Sequence, residues 1–268
     1  MKLIKPFAVL LAIILAFTYP SPVLAWGPFA HGKIALDISQ QIPPADLNAF
    51  IAGNIMTDVA VARFVPDWSR QDKFHSQSYY NSLRALALTP EQKSFVSGWY
   101  THLSGDPIET AYSRERMALG APVGADVPNK GVEALVPRVV TGITVTASVK
   151  NLIIAAWSLS FPSEQPVTLD WLNHSIMVFN LYLRTPSATA EDIAIAQIWY
   201  SDYDNYFIKV AMAAGDANGD GSINMGDVTK IERIILGLDA PTVGADANHD
   251  LTIDMGDVVK VERIILGQ

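Results

Sequence analysis

The sequence predicts an all-α protein, a helical body followed by a small module of two acidic loops that each lead into one helix. Two observations carry that prediction. Ahead of residue 213, seven segments place apolar residues at helical spacing. The tail then repeats itself at an offset of 30 residues: "DANGDGSINMGDVTKIERIILGL" from Asp216 returns as "DANHDLTIDMGDVVKVERIILGQ" from Asp246. The chain has no cysteine, so cross-linking must come from burial or from metals.

Taken in order, residues 1–25 read as a secretory signal. Lys2 and Lys5 give a basic start, residues 7–17 form an apolar run, and Pro20 and Pro22 break any helix. Val23-Leu24-Ala25 then offers small residues at −3 and −1 of a cleavage site. The rival is an uncleaved anchor, since residues 3–24 approach the length that crosses a bilayer. The prolines and the small-residue site favour cleavage and a secreted protein. No later apolar run is long enough to span, so no transmembrane anchor is expected after cleavage. Removing 25 of 268 residues leaves 243. That is enough for one good-sized core, expected over 26–212, plus a small module over 213–268.

Within the core, helices are expected over 34–42, 46–55, 77–88, 90–103, 130–159, 167–183 and 188–213. Thr89, Asp170 and Ser187 stand as N-caps. The β-branched stretch 139–149 leaves strand open as the alternative there. "ARFVPDWSR" reads equally as an exposed apolar lip or, through Phe64 and Trp68, as ordinary core. The last segment runs almost directly into Asp216 without a Pro/Ser-rich linker, so a rigid junction is expected.

The formal net charge of −8 is unevenly spread. Residues 213–268 hold ten acids against four bases, a balance of −6, and residues 26–212 hold −4. No basic footprint for nucleic acid is visible, and nucleic acid is not expected as a partner. A bound metal would supply the positive charge that composition lacks.

In the tail, Asp216, Asn218, Asp220, Ser222, Asn224 and Asp227 occupy positions 1, 3, 5, 7, 9 and 12 of a loop. Asp246, Asn248, Asp250, Thr252, Asp254 and Asp257 repeat the pattern. Calcium takes six to eight hard oxygens, and this alternation turns every second side chain inward around one ion, position 7 ligating through its carbonyl. Gly221 at position 6 permits the sharp turn. Leu251 holds that place in the second loop, where a positive φ costs roughly 1 kcal/mol, so the second site is expected to be strained or weaker. Solvated acidic turns are the alternative, and the matched spacing of two copies argues against them. Position 12 is Asp where an EF-hand uses Glu, and each loop is followed by one helix, 227–236 or 257–266.

Over residues 215–268 the tail resembles a type I dockerin. The resemblance implies a calcium-folded module with two Ca²⁺ that plugs into a cohesin on a scaffold or cell-surface protein. The near-identical halves imply that either helix faces the cohesin. Met225, Gly226, Glu232 and Arg233, and their counterparts Met255, Gly256, Glu262 and Arg263, would lie on that face. Met-Gly stands here where the family has a Ser/Thr pair.

In the front module, cleavage after Ala25 would give Trp26 a free α-amino group. With its carbonyl, that amine closes a five-membered chelate on a metal, which no internal residue can do. His31, a little over one turn further on, reaches the same ion. Trp26 as plain core, with His31 as a helix cap, is the alternative. Asp58 in "GNIMTDVA", His75 in "DKFHSQ", and His102 and Asp106 in "WYTHLSGDPIE" add metal-ligating types. His102 and Asp106 are an i, i+4 pair, so one helix face presents both to one ion. Imidazole with carboxylate is zinc chemistry more than calcium chemistry.

"WGPFAHGKIA", "GNIMTDV" and "THLSGD" together resemble the zinc-dependent phospholipase C family, which shares its architecture with single-strand-specific zinc nucleases. The resemblance covers about residues 26–185. It implies that Asp58, His75, His102 and Asp106 hold one zinc. Trp26 and His31 hold another, with Asp106 bridging and with Asp58 and Asp106 as the catalytic carboxylates. The family's third zinc uses a histidine soon after the bridging Asp and a later His-x-x-x-Glu or Asp pair. Here Thr110 and Tyr112 stand at the first place, and His174 is followed by Val178 with Asp170 one turn before it. A complete third site through His174 is not expected. Glu109, Glu115 and Asp170 are the candidate substitutes.

The expected activity is hydrolysis of a phosphodiester, with a phospholipid head group as first substrate and a sugar-phosphate or nucleic-acid ester behind it. Two zincs sharing a carboxylate acidify a water and clamp the phosphoryl oxygens for in-line attack. The alternative is a non-catalytic, zinc-stabilised helical binding module carried onto a scaffold. Metal stoichiometry separates the two.

Overall fold

A computed structural model describes residues 27–41, 43–61, 67–122, 127–184, 188–239, 242–248 and 252–268. Residues 1–25, where a secretory signal was expected, lie outside them, as do Trp26, Phe64, Ser187, Asp250 and Leu251. The described residues form helices and no strand. They are α1 (Pro28–Gln41), α2 (Leu47–Met56), α3 (Trp68–Phe74), α4 (Gln77–Leu86), α5 (Pro90–Ala118) and α6 (Val127–Leu135). There follow α7 (Ala147–Ser160), α8 (Leu169–Arg184), α9 (Ala190–Trp199), α10 (Tyr203–Ala213), α11 (Met225–Ile235) and α12 (Met255–Ile265), with a 3-10 turn at Val243–Ala245.

Helix α5 is the spine of the body. Thr89 and Gln92 form a capping box at its start with Pro90 in the first turn, so the orphan N–H groups are met and the fixed φ of proline is already helical. It runs on past residue 103, where the sequence expectation ended, although Gly105 and Pro107 lie inside it. Buried Glu109, Tyr112 and Ser113 show what holds the extra turns: tertiary packing outweighs the lost Pro107 N–H. Helix α2 crosses α5 with almost no space between backbones. A Cβ added at Gly53 would lie 1.9 Å from the Phe95 carbonyl oxygen, and one at Gly98 would lie 1.9 Å from that of Phe50. Only glycine fits at either place.

Three expectations are corrected. The stretch 130–159 is not one helix: α6 ends at Leu135 and α7 starts at Ala147 behind the Thr146 cap. Between them Val140, Ile143 and Val145 are buried in irregular backbone, neither helix nor strand. Residues 188–213 divide at Tyr200 into α9 and α10, with Thr189 capping the first. Asp170 is inside α8, whose N-terminal cap is Thr168, accepting from the Trp171 N–H at 3.1 Å. One helix, α3, falls where only an apolar lip or core was expected; Asp67 caps it, and Trp68 is 37% exposed.

The body closes around Trp99, Trp157, Phe74, Tyr79 and Phe95, all under 2% exposed and in mutual ring contact. A second, separate core joins Ala217, Val228, Ile231, Ile234, Val258 and Val261, with Ile223 and Ile253 packed against it. Asp246 of the second acidic loop is buried beside the body, and its charge adds to the burial that raises the Tyr80 and Tyr100 phenols. No helix among the described residues is long and apolar enough to cross a membrane.

Candidate metal centre

The close crossing of α2 on α5 is what assembles the site. It brings the Asn54 carbonyl within 2.7 Å of His102 Nδ1 on α5. In the orientation that satisfies both its ends, the Asn54 amide donates to the His31 carbonyl at 2.7 Å and accepts from the His102 N–H at 3.3 Å. One buried asparagine thus ties α1, α2 and α5 together. The chain leaves α2 in turns through which Asp58 returns over α5. His75 is the C-cap of α3, and its Nδ1 donates to the Gln71 carbonyl at 2.9 Å. The amide of Gln71, buried on the same helix, donates to Asp58 Oδ1 at 2.5 Å.

A carbonyl only accepts, so both Nδ1 atoms carry hydrogen and both Nε2 atoms are left to face the centre. They stand 3.1 Å apart. Around them, Asp58 Oδ1 lies 3.4 Å from His75 Nε2 and 3.7 Å from His102 Nε2. Asp106 places Oδ2 at 3.4 Å from His75 Nε2 and Oδ1 at 3.3 Å from His102 Nε2. His31, 1% exposed, stacks on His102 with ring centroids 3.8 Å apart. Its Nε2 is 4.0 Å from Asp106 Oδ1, 4.0 Å from Asp58 Oδ2 and 3.5 Å from Glu109 Oε2.

Burial and mutual charge pull the groups of this cluster in opposite directions. Burial acts to lower His75, yet the hydrogen bond and charge of Asp58 and the charge of Asp106 carry it up to about 9. Burial, then the charges of His31 and His75, drive His102 well below its ordinary value. Burial also pushes Asp106 up to about 7 against the pull of His75. Asp58 resists its own burial and is held below the usual carboxylate range by His102 and His75. These directions favour a charged His75 imidazolium beside a neutral His102.

The structure therefore brings together His31, Asp58, His75, His102 and Asp106. Two metal-capable groups fall within them, His31 with His102 and Asp106, and Asp58 with His75 and His102. Trp26 lies outside the described residues, directly before Gly27. His174 is exposed on α8 and belongs to no metal-capable group among the described residues. Asp170 and Glu115 are exposed as well, the latter accepting from the Tyr206 hydroxyl. Tyr112, where the resemblance would have led one to expect a histidine, is buried and donates to Asp202 at 3.0 Å. Sequence reasoning missed Asn54, Gln71 and Glu133. Glu133 is buried on α6, accepts from the Phe29 and Ala30 N–H groups at 3.1 and 2.8 Å, and is pushed by burial up to about 8. Asn54 alone had a signal, its place beside Gly53 in a motif already singled out.

The tail loops are closed by their own acids. Asp216 accepts from the Gly219 and Gly221 N–H groups, both at 2.8 Å, and Gly221 has the positive φ, 82°, that its turn requires. Asp227 ties the loop's two ends, accepting from Asn218 N–H at 3.0 Å and Asn224 N–H at 2.9 Å. Asp257 does the same to Asn248 at 3.1 Å and Asp254 at 2.8 Å. Asn224 and Asp254 at position 9 also cap α11 and α12 by accepting from Gly226 and Gly256. Residues 214–266 match the family model of the dockerin type I domain. No curated protein and no solved structure matches the chain.

Dockerin domains bind calcium, and the paired loops are where this one would hold it. The dockerin supports attachment to a cohesin-bearing scaffold and a place at the cell surface or on a cellulosome. Both halves of its outer face are open: Met225 is 58% and Met255 55% exposed. Gly226, Glu232, Arg233, Gly256, Glu262 and Arg263 are exposed with them.

Proposed function

We propose that the front domain is a zinc-dependent phosphodiester hydrolase of phospholipase C type, carried to a cohesin-bearing scaffold by its dockerin. The observation that carries this reading is the spacing of Asp58, His75, His102 and Asp106. A tetrahedral zinc with bonds of about 2.0–2.1 Å has ligand–ligand edges of about 3.3–3.4 Å. The five nitrogen–nitrogen and nitrogen–oxygen distances among these four side chains run from 3.1 to 3.7 Å. Those residues would hold one zinc, and His31 with Asp106 and Trp26 a second.

Bound zinc supplies Lewis-acid polarisation of a phosphoryl oxygen and acidifies a water to near neutral pH. The chain's own residues do the rest. The backbone carbonyls of Asn54 and Gln71 fix the two imidazoles in one tautomer, which raises their basicity as ligands. Gln71 turns Asp58 towards the centre. His75 gives up the proton at Nε2 when a cation replaces it. The side chains of His75 and Asp106 are the most open of the set, at 23% and 21%, so substrate approaches over them while His31 and His102 exclude water behind. Net negative charge on residues 26–212 disfavours nucleic acid as that substrate.

Exposed His174 and the engaged Tyr112 hydroxyl support a second reading, a zinc-stabilised binding module without turnover. Elemental analysis of the secreted protein, run beside a panel of phospholipid, sugar-phosphate and nucleic-acid diesters, separates them. Zinc with hydrolysis supports the enzyme, and zinc without hydrolysis the module. A protein free of zinc that hydrolyses nothing sinks both.

A further inference from the structure

The structure assigns Glu109 as a ligand of the second metal position, beside His31 and Asp106. The assignment rests on the proposed zinc centre and moves Glu109, which the sequence offered only as a substitute at a third site, to the second position. Glu109 lies three residues after Asp106 and seven after His102, so all three project from one face of α5. Its side chain is wholly buried, as is that of His31 at 1% exposure. His31 Nε2 and Glu109 Oε2 are 3.5 Å apart. That is longer than a good N–H···O bond, about 2.7–3.2 Å. It is close to the edge of about 3.3–3.4 Å that two ligands of one tetrahedral ion keep. The four-ligand set of Asp58, His75, His102 and Asp106 would account for the first ion. His31 and Glu109 are not in that set, and His31 Nε2 lies 4.0 Å from Asp106 Oδ1.

Charge points the same way. Three acids, Asp58, Asp106 and Glu109, converge in one buried cluster with three imidazoles. Burying several carboxylates together is expensive unless cations are shared among them. One dication balances two of the three, and a second, with the acidified water, would balance the third.

The test uses the full secreted chain, loaded with zinc and titrated against a competing chelator. Wild type should hold two zincs in the front domain. Glu109→Gln, which keeps shape and removes charge, should weaken one of them by more than the ~10–100-fold typical of an outer-shell partner and leave the other unchanged. In EDTA, Glu109→Gln should melt at or above the wild-type temperature, because one acid has left a crowded buried cluster; with zinc it should melt below it. A merely structural glutamate would lower both. If Glu109→Gln does not fold, Glu109→Asp should show the same selective weakening to a smaller degree. Two zincs of wild-type affinity in the variant that folds overturn the assignment while leaving the centre itself standing. A zinc-free wild type removes the centre and this ligand with it.

Discussion

Gly53→Ala and Gly98→Ala test whether the crossing of α2 on α5 builds the metal centre. The new Cβ would sit 1.9 Å from a backbone carbonyl oxygen in either case, and no rotamer change can move that oxygen away. Carbon and oxygen settle at about 3.3 Å or more, so the contact must open by about 1.4 Å. His102 Nδ1 and the Asn54 carbonyl, 2.7 Å apart across that crossing, would then pass out of hydrogen-bond range. Overpacking of this kind costs about 1–3 kcal/mol, and stranding a buried polar pair adds about 1–3 kcal/mol. The middle of that range is about 4 kcal/mol, or a fall of about 8–16 °C in Tm for a domain of this size. Far-UV circular dichroism melts of the full chain measure it, and zinc titration of the same samples should show weaker binding because His102 has lost its anchor. Alanine in a helix interior is otherwise better than glycine by about 1 kcal/mol. A Tm at or above wild type in both variants would therefore refute the close crossing and the account of the site built on it.

Chelation by EGTA should unfold residues 213–268 and leave the front domain helical, because the tail's small core cannot offset ten acids; circular dichroism of the tail unchanged by EGTA contradicts this. Asp106→Ala should strip more zinc than any other single change in the front domain, and exposed His174→Ala should strip none; equal retention in the two by elemental analysis removes Asp106 from its shared position. One residue left ahead of Trp26 turns its amine into an amide, so such a protein should carry about one zinc fewer than material beginning at Trp26. Equal zinc content in the two preparations would make Trp26 a core residue beside a cleavage site.

The elements that sequence reasoning found are those whose signal is local. Thr89, Gln92 and Pro90 spell out the start of α5, and the apolar spacing of 77–88 foretells α4 within two residues. The tail was legible almost completely, since a loop that must turn alternate oxygens inward writes its ligands at fixed intervals and then repeats them. What failed was local grammar overruled from a distance. The helix expected over 90–103 stops short of Gly105 and Pro107, but α5 runs on through both: Val210 of α10 packs 3.3 Å from where a Gly105 Cβ would be, and Tyr112 is buried beyond it. Helix α3 was missed because seven residues are too few to show a helical period. The break between α6 and α7 was half seen, as a β-branched stretch, and its residues are buried without joining any ladder.

The candidate metal centre divides along the same line. His31, Asp58, His75, His102 and Asp106, which the structure brings together, could be singled out because histidine beside carboxylate is rare enough to be noticed in isolation. The residues that aim them were not, because aiming is done by groups that any sequence contains. Asn54 and Gln71 act through a carbonyl and an amide, and Glu133 holds the start of α1 from a helix about a hundred residues away. Glu109 was noticed only as a stand-in for a third site. Its spacing from Asp106 put it on the right helix face, but the partner that gives it meaning, His31, comes from α1 and is 78 positions earlier in the chain. Chemistry-bearing residue types can be read from a chain one at a time, whereas a ligand set is a property of the crossing between helices. In this protein that crossing is set by two glycines, neither of which is a candidate ligand.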